Sequence, residues 1–256
     1  MQTFYERFYQ KIEQSSAHAR FCERAFGRNL GQHGFTDMAQ LDALLAALQS
    51  RSHHHLLDLG CGNGRIAEYI SDCTGAHVTG LDYIPAAICQ AQARTVAKAD
   101  RLSFLVGDIN ALALPPAAFD AILAIDTIYF SQEYVTTIRQ LMAALRPGGR
   151  LFFFYSYGWE PGMVSADFPC ETLEPARTPL AVALQANGLT FTTQDFTVAD
   201  YRLAQQRKEV LVELQAAFLA EDLQFIYDNR MGEANGISRG VELGLHRRYF
   251  YQVDTA

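Results

Sequence analysis

An apolar run that ends in three alternating glycines constrains the fold of this 256-residue chain more than any other feature. The run, Leu-Leu-Asp-Leu-Gly-Cys-Gly-Asn-Gly, begins at Leu56 and ends at Gly64, and an amphipathic stretch follows at once. A short strand that turns directly into a helix leaves backbone N–H groups free at the start of that helix. Glycine permits the positive φ of such a turn and lets a ligand approach the bare backbone. The pattern therefore predicts a ligand-binding loop in the first third of the chain.

The glycine spacing distinguishes two classes of nucleotide-binding loop. The dinucleotide-binding fingerprint is G-x-G-x-x-G; Gly60 and Gly62 fit its first two positions, but Arg65 occupies the third. The chain instead has the spacing Asp58-x-Gly60-x-Gly62-x-Gly64, which resembles the first motif of class I S-adenosylmethionine-dependent methyltransferases. Two alternatives stay open from this loop alone: another α/β nucleotide binder, or a glycine turn without a ligand.

Acidic residues follow three more apolar segments. The predicted strands and their acids are 76–81 before Asp82, 102–106 before Asp108, and 119–125 before Asp126. An acid at the tip of the second strand of a doubly wound sheet is placed to accept hydrogen bonds from both ribose hydroxyls. Asp82 is equally placed to cap the next helix, and both roles can hold together. With the turn at 145–150, these features follow the order and intervals of the class I family across roughly residues 56–155.

The resemblance implies a cofactor and a set of residues that bind it. It implies that S-adenosylmethionine lies at the strand ends, with S-adenosylhomocysteine as the product. Asp108 is then expected to accept from the adenine amino group, and the next backbone N–H, of Ile109, to meet the ring. The residues expected to bind the cofactor are Asp58, Gly60, Cys61, Gly62, Gly64, Asp82, Tyr83, Asp108, Ile109, Ile125 and Asp126.

Strands and helices alternate from Leu56 onward, which predicts an α/β fold with a doubly wound, Rossmann-like sheet. Helices are expected near 64–71, 85–99, 132–145 and 177–187, with a fifth strand at 151–155, a sixth at 189–198 and a seventh at 247–253. The resemblance implies a seven-stranded, mostly parallel sheet whose last strand is antiparallel and lies between the fifth and sixth strands.

The other segments are expected to form a helical cap and lid. We divide the chain into an N-terminal helical cap (1–50), a cofactor-binding core (51–199), a helical lid (200–246) and the final strand (247–256). Ligands bind at the carboxyl ends of strands in such sheets, so both ends of the lid should lie on the ligand side. The cap helices either cover the cofactor or simply pack on the sheet. Glycines at 232, 236, 240 and 244 predict a broken helix with turns, since each costs roughly 1 kcal/mol relative to alanine.

Candidate acceptor-site residues come from segments expected near the mouth of the site. His33 and Tyr129 are candidate general bases, which matter only for an acceptor that arrives protonated. His33 has the alternative of stabilising a turn, and Tyr129 that of packing in the core or covering the cofactor. The predicted acceptor-pocket residues are Tyr155, Tyr157, Trp159 and His246, the last also a candidate base. Aromatic walls would favour a cationic or planar acceptor.

Composition restricts the location and the partners. The net charge of −7 disfavours a nucleic-acid partner, and Asp126-Thr127-Ile128-Tyr129 lacks the Pro-Pro pair of enzymes that methylate nucleic-acid bases. An absence of long apolar runs predicts no membrane span and no secretory signal. Five cysteines without a Cys-x-x-Cys pair indicate reduced thiols and a cytoplasmic location. No metal site is expected, because the side chains of His53, His54 and His55 point in different directions on an extended chain.

These features favour a methyltransferase that acts on a small molecule by in-line methyl transfer inside a covered pocket. Two other functions stay open: methylation of a protein or nucleic acid, and cofactor binding without transfer. An open basic groove would favour the former, and a pocket closed to every acceptor the latter.

Overall fold

The fold is built on one central sheet with helices on both faces. A computed structural model of the chain describes residues 2–255. The sheet has seven strands in the order β3-β2-β1-β4-β5-β7-β6. The strands are β1 (His55–Leu59), β2 (His77–Asp82), β3 (Leu102–Val106), β4 (Phe119–Ile125), β5 (Leu145–Gly158), β6 (Thr190–Asp195) and β7 (His246–Asp254).

Strand polarity confirms the predicted Rossmann-like sheet. The pairs β1–β2, β2–β3, β1–β4 and β4–β5 are parallel, whereas β7 runs antiparallel to both β5 and β6. The strand order reverses at β1, whose neighbours are β2 and β4. Ligands of doubly wound sheets bind at such a reversal, at the carboxyl ends of the strands.

Helices cover both faces of the sheet through two apolar clusters. One cluster includes α6 and α7, and the other includes α3, α4 and α5. The helices are α1 (Gln2–Ile12), α2 (Ser16–Phe26), α3 (Met38–Leu48), α4 (Arg65–Thr74), α5 (Pro85–Arg94), α6 (Tyr134–Ala144), α7 (Pro179–Ala186), α8 (Thr197–Ala220) and α9 (Gln224–Glu242). The sixth strand is shorter than predicted because Asp195 accepts a hydrogen bond from the Thr197 N–H and starts α8.

The glycine-rich segment of the lid differs from the prediction, because α9 is one continuous helix rather than a broken one. Of the four glycines, Gly244 has a positive φ of 74° and lies beyond the helix. A Cβ on Gly236 would lie 3.6 Å from Pro161, and one on Gly240 would lie 3.0 Å from the His246 Cβ. Close packing against the loop after β5 and against β7 therefore offsets the low helix propensity of glycine.

Cap and lid helices form one layer. A third apolar cluster joins α1, α2, α8 and α9, and its fully buried members include Phe8, Phe21, Leu211, Phe218 and Ile226. Two ion pairs, Lys11–Asp222 and Arg24–Glu213, cross the same contact. Across residues 2–255, none of the helices is long and apolar enough to cross a membrane.

Candidate cofactor and acceptor site

A cavity of about 540 Å³ opens at the carboxyl ends of β1 to β4. Its wall on the sheet side comes from the loop after β1 and from the residues that follow β2, β3 and β4. Its opposite wall comes from α1, α9 and the segment 30–36 between α2 and α3. The helical layer therefore meets the strand ends across a single cavity.

The glycine loop forms the floor of this cavity. Gly60, Gly62 and Gly64 have φ values of 77°, 55° and 72°. A Cβ on Gly60 would lie 2.2 Å from the Thr127 hydroxyl oxygen, and one on Gly62 would lie 2.4 Å from the Tyr9 hydroxyl oxygen. Both the backbone angles and the close approach of these neighbours therefore require glycine. The structure places Gly60, Cys61 and Gly62 in the cavity wall, whereas Gly64 begins α4 and lies outside it.

Asp82 stands at the end of β2 with its carboxylate held by backbone donors. Oδ2 accepts from the Gly62 N–H at 2.8 Å, and Oδ1 accepts from the Ile84 N–H at 2.9 Å. The Tyr83 N–H also donates to this carboxylate. Of the roughly four lone-pair sites of a carboxylate, one stays free for a ligand hydroxyl. Burial raises the pKa of Asp82 above its usual value, and the backbone hydrogen bonds lower it in part.

The ends of β3 and β4 continue the wall. Asp108, Ile109 and Ile125 line the cavity, as does Tyr83, whose side chain is half exposed. Asp108 Oδ1 accepts from the Asn110 N–H at 2.8 Å, which fixes the turn after β3.

Asp58 lies beneath the glycine loop rather than in the cavity wall. Its Oδ2 is buried without a hydrogen-bond partner among the described residues. Burial, with a contribution from the Asp82 charge, raises the pKa of Asp58 to about 7.

Asp126, after β4, belongs to a buried ion pair that sequence reasoning missed. Arg248 on β7 donates to Asp126 Oδ1 at 2.7 Å and to Oδ2 at 3.2 Å, and it also donates to Thr36 and Gln40. Burial raises the pKa of Asp126, but the Arg248 charge and the hydrogen bonds from Arg248, the Phe35 N–H and Tyr129 together hold that pKa below its usual value. Asp126 also accepts from the Phe35 N–H at 2.7 Å. The pair thus anchors the 30–36 segment to the sheet.

The cap and lid add further side chains to the wall that were not predicted. They include Tyr5 and Tyr9 from α1, Gln32, and Glu233 from α9. Glu233 Oε2 accepts from the buried Arg207 at 2.6 Å, and Arg230 lies 3.6 Å away. The helical spacing of the α1 aromatics was visible in the sequence, but the approach of Glu233 depends on how α9 packs.

Four predicted acceptor-pocket residues lie outside the cavity. Tyr155 and Tyr157 project from β5 into the apolar face covered by α6 and α7. The Trp159 indole donates to the Met163 carbonyl in the loop after β5. His246 is buried, and its Nε2 lies in hydrogen-bond contact with Asp200 Oδ2 at 2.8 Å. Their positions do not support the predicted role, because β5 and β7 lie beyond the strand reversal that forms the cavity.

Comparison with known proteins agrees with this geometry. A family model described as a methyltransferase domain matches residues 56–149. The 27-O-demethylrifamycin SV methyltransferase of Amycolatopsis mediterranei is 34% identical over 148 residues, which are 53% of this chain and 54% of that protein. A malonyl-[acyl-carrier protein] O-methyltransferase of Enterobacter lignolyticus is 36% identical over 132 residues, 50% of this chain and 51% of that protein. Residues 56–149 thus match a methyltransferase domain, and these relatives, which share about half of the chain, are named as methyltransferases. The chain spans about half the length of these curated relatives.

Solved structures share the methyltransferase fold over nearly the whole chain. Phosphoethanolamine N-methyltransferase 2 of Haemonchus contortus, in complex with phosphomonomethylethanolamine and S-adenosylhomocysteine, superposes with a TM-score of 0.77 at 18% identity, covering 98% of this chain and 60% of that one. The cyclopropane synthase MmaA2 of Mycobacterium tuberculosis gives a TM-score of 0.73 at 17% identity, covering 98% of both chains. At these identities the likeness concerns the fold.

The two predicted general bases, His33 and Tyr129, line the cavity but do not titrate near neutral pH. Burial, with the charge of Arg230, lowers the pKa of His33 to about 3, so its imidazole is neutral. Burial and the charge of Asp126 raise the pKa of Tyr129 well above its usual value. The Tyr129 hydroxyl donates to Asp126 Oδ1 at 2.9 Å. Both side chains are therefore better suited to shape the wall than to remove a proton.

Proposed function

We propose that this protein transfers a methyl group from S-adenosylmethionine to a small molecule inside the covered cavity. The observation that carries the proposal is the cavity itself, which joins the ends of β1, β2 and β3 to a roof of cap and lid residues. Curated relatives of about half the chain include enzymes named for methylation of a rifamycin precursor and of malonyl-acyl-carrier protein.

The residues at the strand ends fit the proposed cofactor. The Asp82 carboxylate keeps a lone pair for a ribose hydroxyl, and Asp108 with Ile109 suits the adenine ring. Gly60 and Gly62 line the cavity with loop backbone that a bound cofactor would meet. When bound, the cofactor supplies an electrophilic methyl group on a sulfonium.

The chain's own contribution is positioning. Holding the acceptor in line with the methyl group can supply about 7–11 kcal/mol of the barrier reduction. Because His33 is neutral and a poor base, we infer an acceptor whose nucleophile carries a lone pair without help from that residue. Tyr5, His33 and Phe130 shape the wall that this acceptor would meet.

A small acceptor fits the enclosure better than a macromolecule. The α1, α9 and 30–36 elements stand over the cavity, and exclusion of water strengthens each electrostatic contact within it. A cytoplasmic location and the lack of a nucleic-acid partner belong to the same proposal. The acidic net charge of −7 and the absence of a pattern of paired cysteines support them.

Calorimetric titration with S-adenosylmethionine tests the proposal. Asp82→Ala should weaken binding by about 1–3 kcal/mol, because it removes hydrogen bonds to a charged acceptor. Asp100→Ala, which changes an exposed acid on the loop before β3, should leave the affinity unchanged. Binding of NAD in place of S-adenosylmethionine would overturn the proposal.

A further inference from the structure

The segment 30–36 is fixed from the lid side by Arg230, a fully buried residue of α9. The Arg230 guanidinium donates from Nη1 to the His33 carbonyl and from Nη2 to the Gln32 carbonyl. One planar fork thus holds two successive main-chain carbonyls. Arg230 itself does not line the cavity, whereas Gln32, His33 and Gly34 do.

The direction of these carbonyls determines the direction of the next two N–H groups. In a planar trans peptide, the C=O of one residue and the N–H of the next point in opposite directions, and residues 2–255 contain no cis peptide bond. Because the Gln32 and His33 carbonyls both point at the Arg230 guanidinium, the N–H groups of His33 and Gly34 both point away from it. Successive N–H groups with a shared direction form a concave site for anions.

Both N–H groups are available to a ligand. Within the described part of the chain, neither His33 nor Gly34 donates its backbone N–H to a protein acceptor. Gly34 is partly exposed in the cavity. A Cβ at this position would lie 2.6 Å from Asp126 Oδ2, so only glycine leaves the approach open. The negative charge of Asp126 is compensated by its ion pair with Arg248.

The location of the pair within the cavity indicates which part of a ligand it meets. The strand order places Asp82 and Asp108 on one side of β1, after β2 and β3. Gly34 contacts Asp126, which follows β4 on the other side of β1. The two carboxylates that suit the nucleoside are thus separated from the N–H pair by the glycine loop.

We propose that the His33 and Gly34 N–H groups bind a carboxylate, that of the amino-acid end of the cofactor, and that Arg230 is the positioning residue that aims them. The identity of the ligand rests on the proposed function. The lid then acts on the cofactor without touching it, because a residue of α9 orients main-chain donors that belong to the cap.

Paired titrations separate the carboxylate end of the ligand from its nucleoside end. The probes are S-adenosylhomocysteine and 5′-methylthioadenosine, which lacks the amino-acid end. Arg230→Lys keeps the charge but loses the fork, and should weaken S-adenosylhomocysteine about tenfold while changing 5′-methylthioadenosine less than about twofold. Arg239→Lys, an exposed change on the same helix, should alter neither. Equal losses for both ligands, or no loss for either, would overturn the inference.

Amide spectra of the unmodified protein test the same contact without a variant. In ¹⁵N-labelled protein, the His33 and Gly34 amide protons should shift downfield with S-adenosylhomocysteine and not with 5′-methylthioadenosine. Identical responses to the two ligands would contradict the inference, while a lack of binding by either would count against the proposed function instead. Titration of the S-adenosylhomocysteine complex with acetate distinguishes the source of the carboxylate. Further shifts of these two amides with acetate would show that the pair serves the acceptor and not the cofactor.

Discussion

At the scale of single residues, three fully buried arginines hold segments of the site in place. Arg207, Arg230 and Arg248 each have no exposed surface. Arg248 is fully paired through Asp126, Gln40, Thr36 and Ser156. Removal of one partner of a buried ion pair leaves the other charge uncompensated, and the stability lost exceeds the net contribution of the pair. Substitution of these arginines should therefore lower the free energy of unfolding.

Removal of Arg248 should destabilise the fold. Arg248→Met leaves the Asp126 carboxylate buried and uncompensated, and we expect the free energy of unfolding to fall by about 3–5 kcal/mol. Urea denaturation measures the loss, and Arg247→Met is the matched control because Arg247 is the neighbouring arginine and is partly exposed. A change below about 1 kcal/mol for Arg248→Met would contradict the assigned role of the pair.

Asp58 should make stability depend on pH in an unusual direction. Its pKa is raised to about 7 in the folded chain, whereas the unfolded value is near the ordinary one. The folded state therefore holds a proton that the unfolded state has lost between about pH 4 and pH 7, and stability from this group falls as the pH rises through that range. Asp58→Asn mimics the protonated form, so its stability gain should grow from pH 4 to pH 8, reaching about 2–4 kcal/mol. Thermal unfolding at several pH values checks the trend, and a gain that does not change with pH would refute it.

The sequence predicted the part of the site whose residues directly follow the core strands. Gly60, Gly62, Asp82 and Asp108 follow strands whose polarity brings their ends together, so spacing alone placed them. Arg230, Glu233 and Arg248 could not be found in this way, because their place in the site depends on how α9 packs and how β7 pairs. The aromatic residues predicted for the acceptor pocket at 155–159 lie outside this cavity, which borders the ends of β1 to β4 and not of β5.

At the scale of secondary structure, packing explains why α9 is one continuous helix. Sequence propensity alone predicted a break in this segment, but neighbours from the loop after β5 and from β7 fit against its glycines. By contrast, β3 and β4 were predicted with the bounds that the structure shows, because their apolar patterns are regular and their ends are marked. Local patterns thus predicted the elements whose packing agrees with their propensity.

Two glycines of α9 should respond differently to alanine. A Cβ on the exposed Gly232 would meet nothing within 4 Å, so Gly232→Ala should stabilise the protein by about 0.5–1 kcal/mol. A Cβ on Gly240 would lie 3.0 Å from the His246 Cβ. Gly240→Ala should therefore not stabilise the protein, because the added methyl group would displace the start of β7. Chemical denaturation of the two variants compares them directly. Equal stabilisation by both would show that close packing does not explain the glycines.

The cap and the lid behave as one layer at the scale of the whole molecule, because α1, α2, α8 and α9 share an apolar cluster. Ligand binding at the strand ends should therefore reach beyond the core. We expect S-adenosylhomocysteine to slow amide hydrogen exchange in 30–36 and in α9 as well as in the glycine loop, as measured by mass spectrometry. Protection confined to the strand ends would mean that the layer does not close on the ligand.

Formation of S-adenosylhomocysteine from S-adenosylmethionine in the presence of fractionated cell extract tests the central claim most directly. The protein should form S-adenosylhomocysteine with the low-molecular-mass fraction, and Asp82→Ala should lower the rate in step with its weaker cofactor binding. Formation with the protein or nucleic-acid fraction alone would contradict the small acceptor. Tight binding of S-adenosylmethionine without turnover in any fraction would contradict methyl transfer itself.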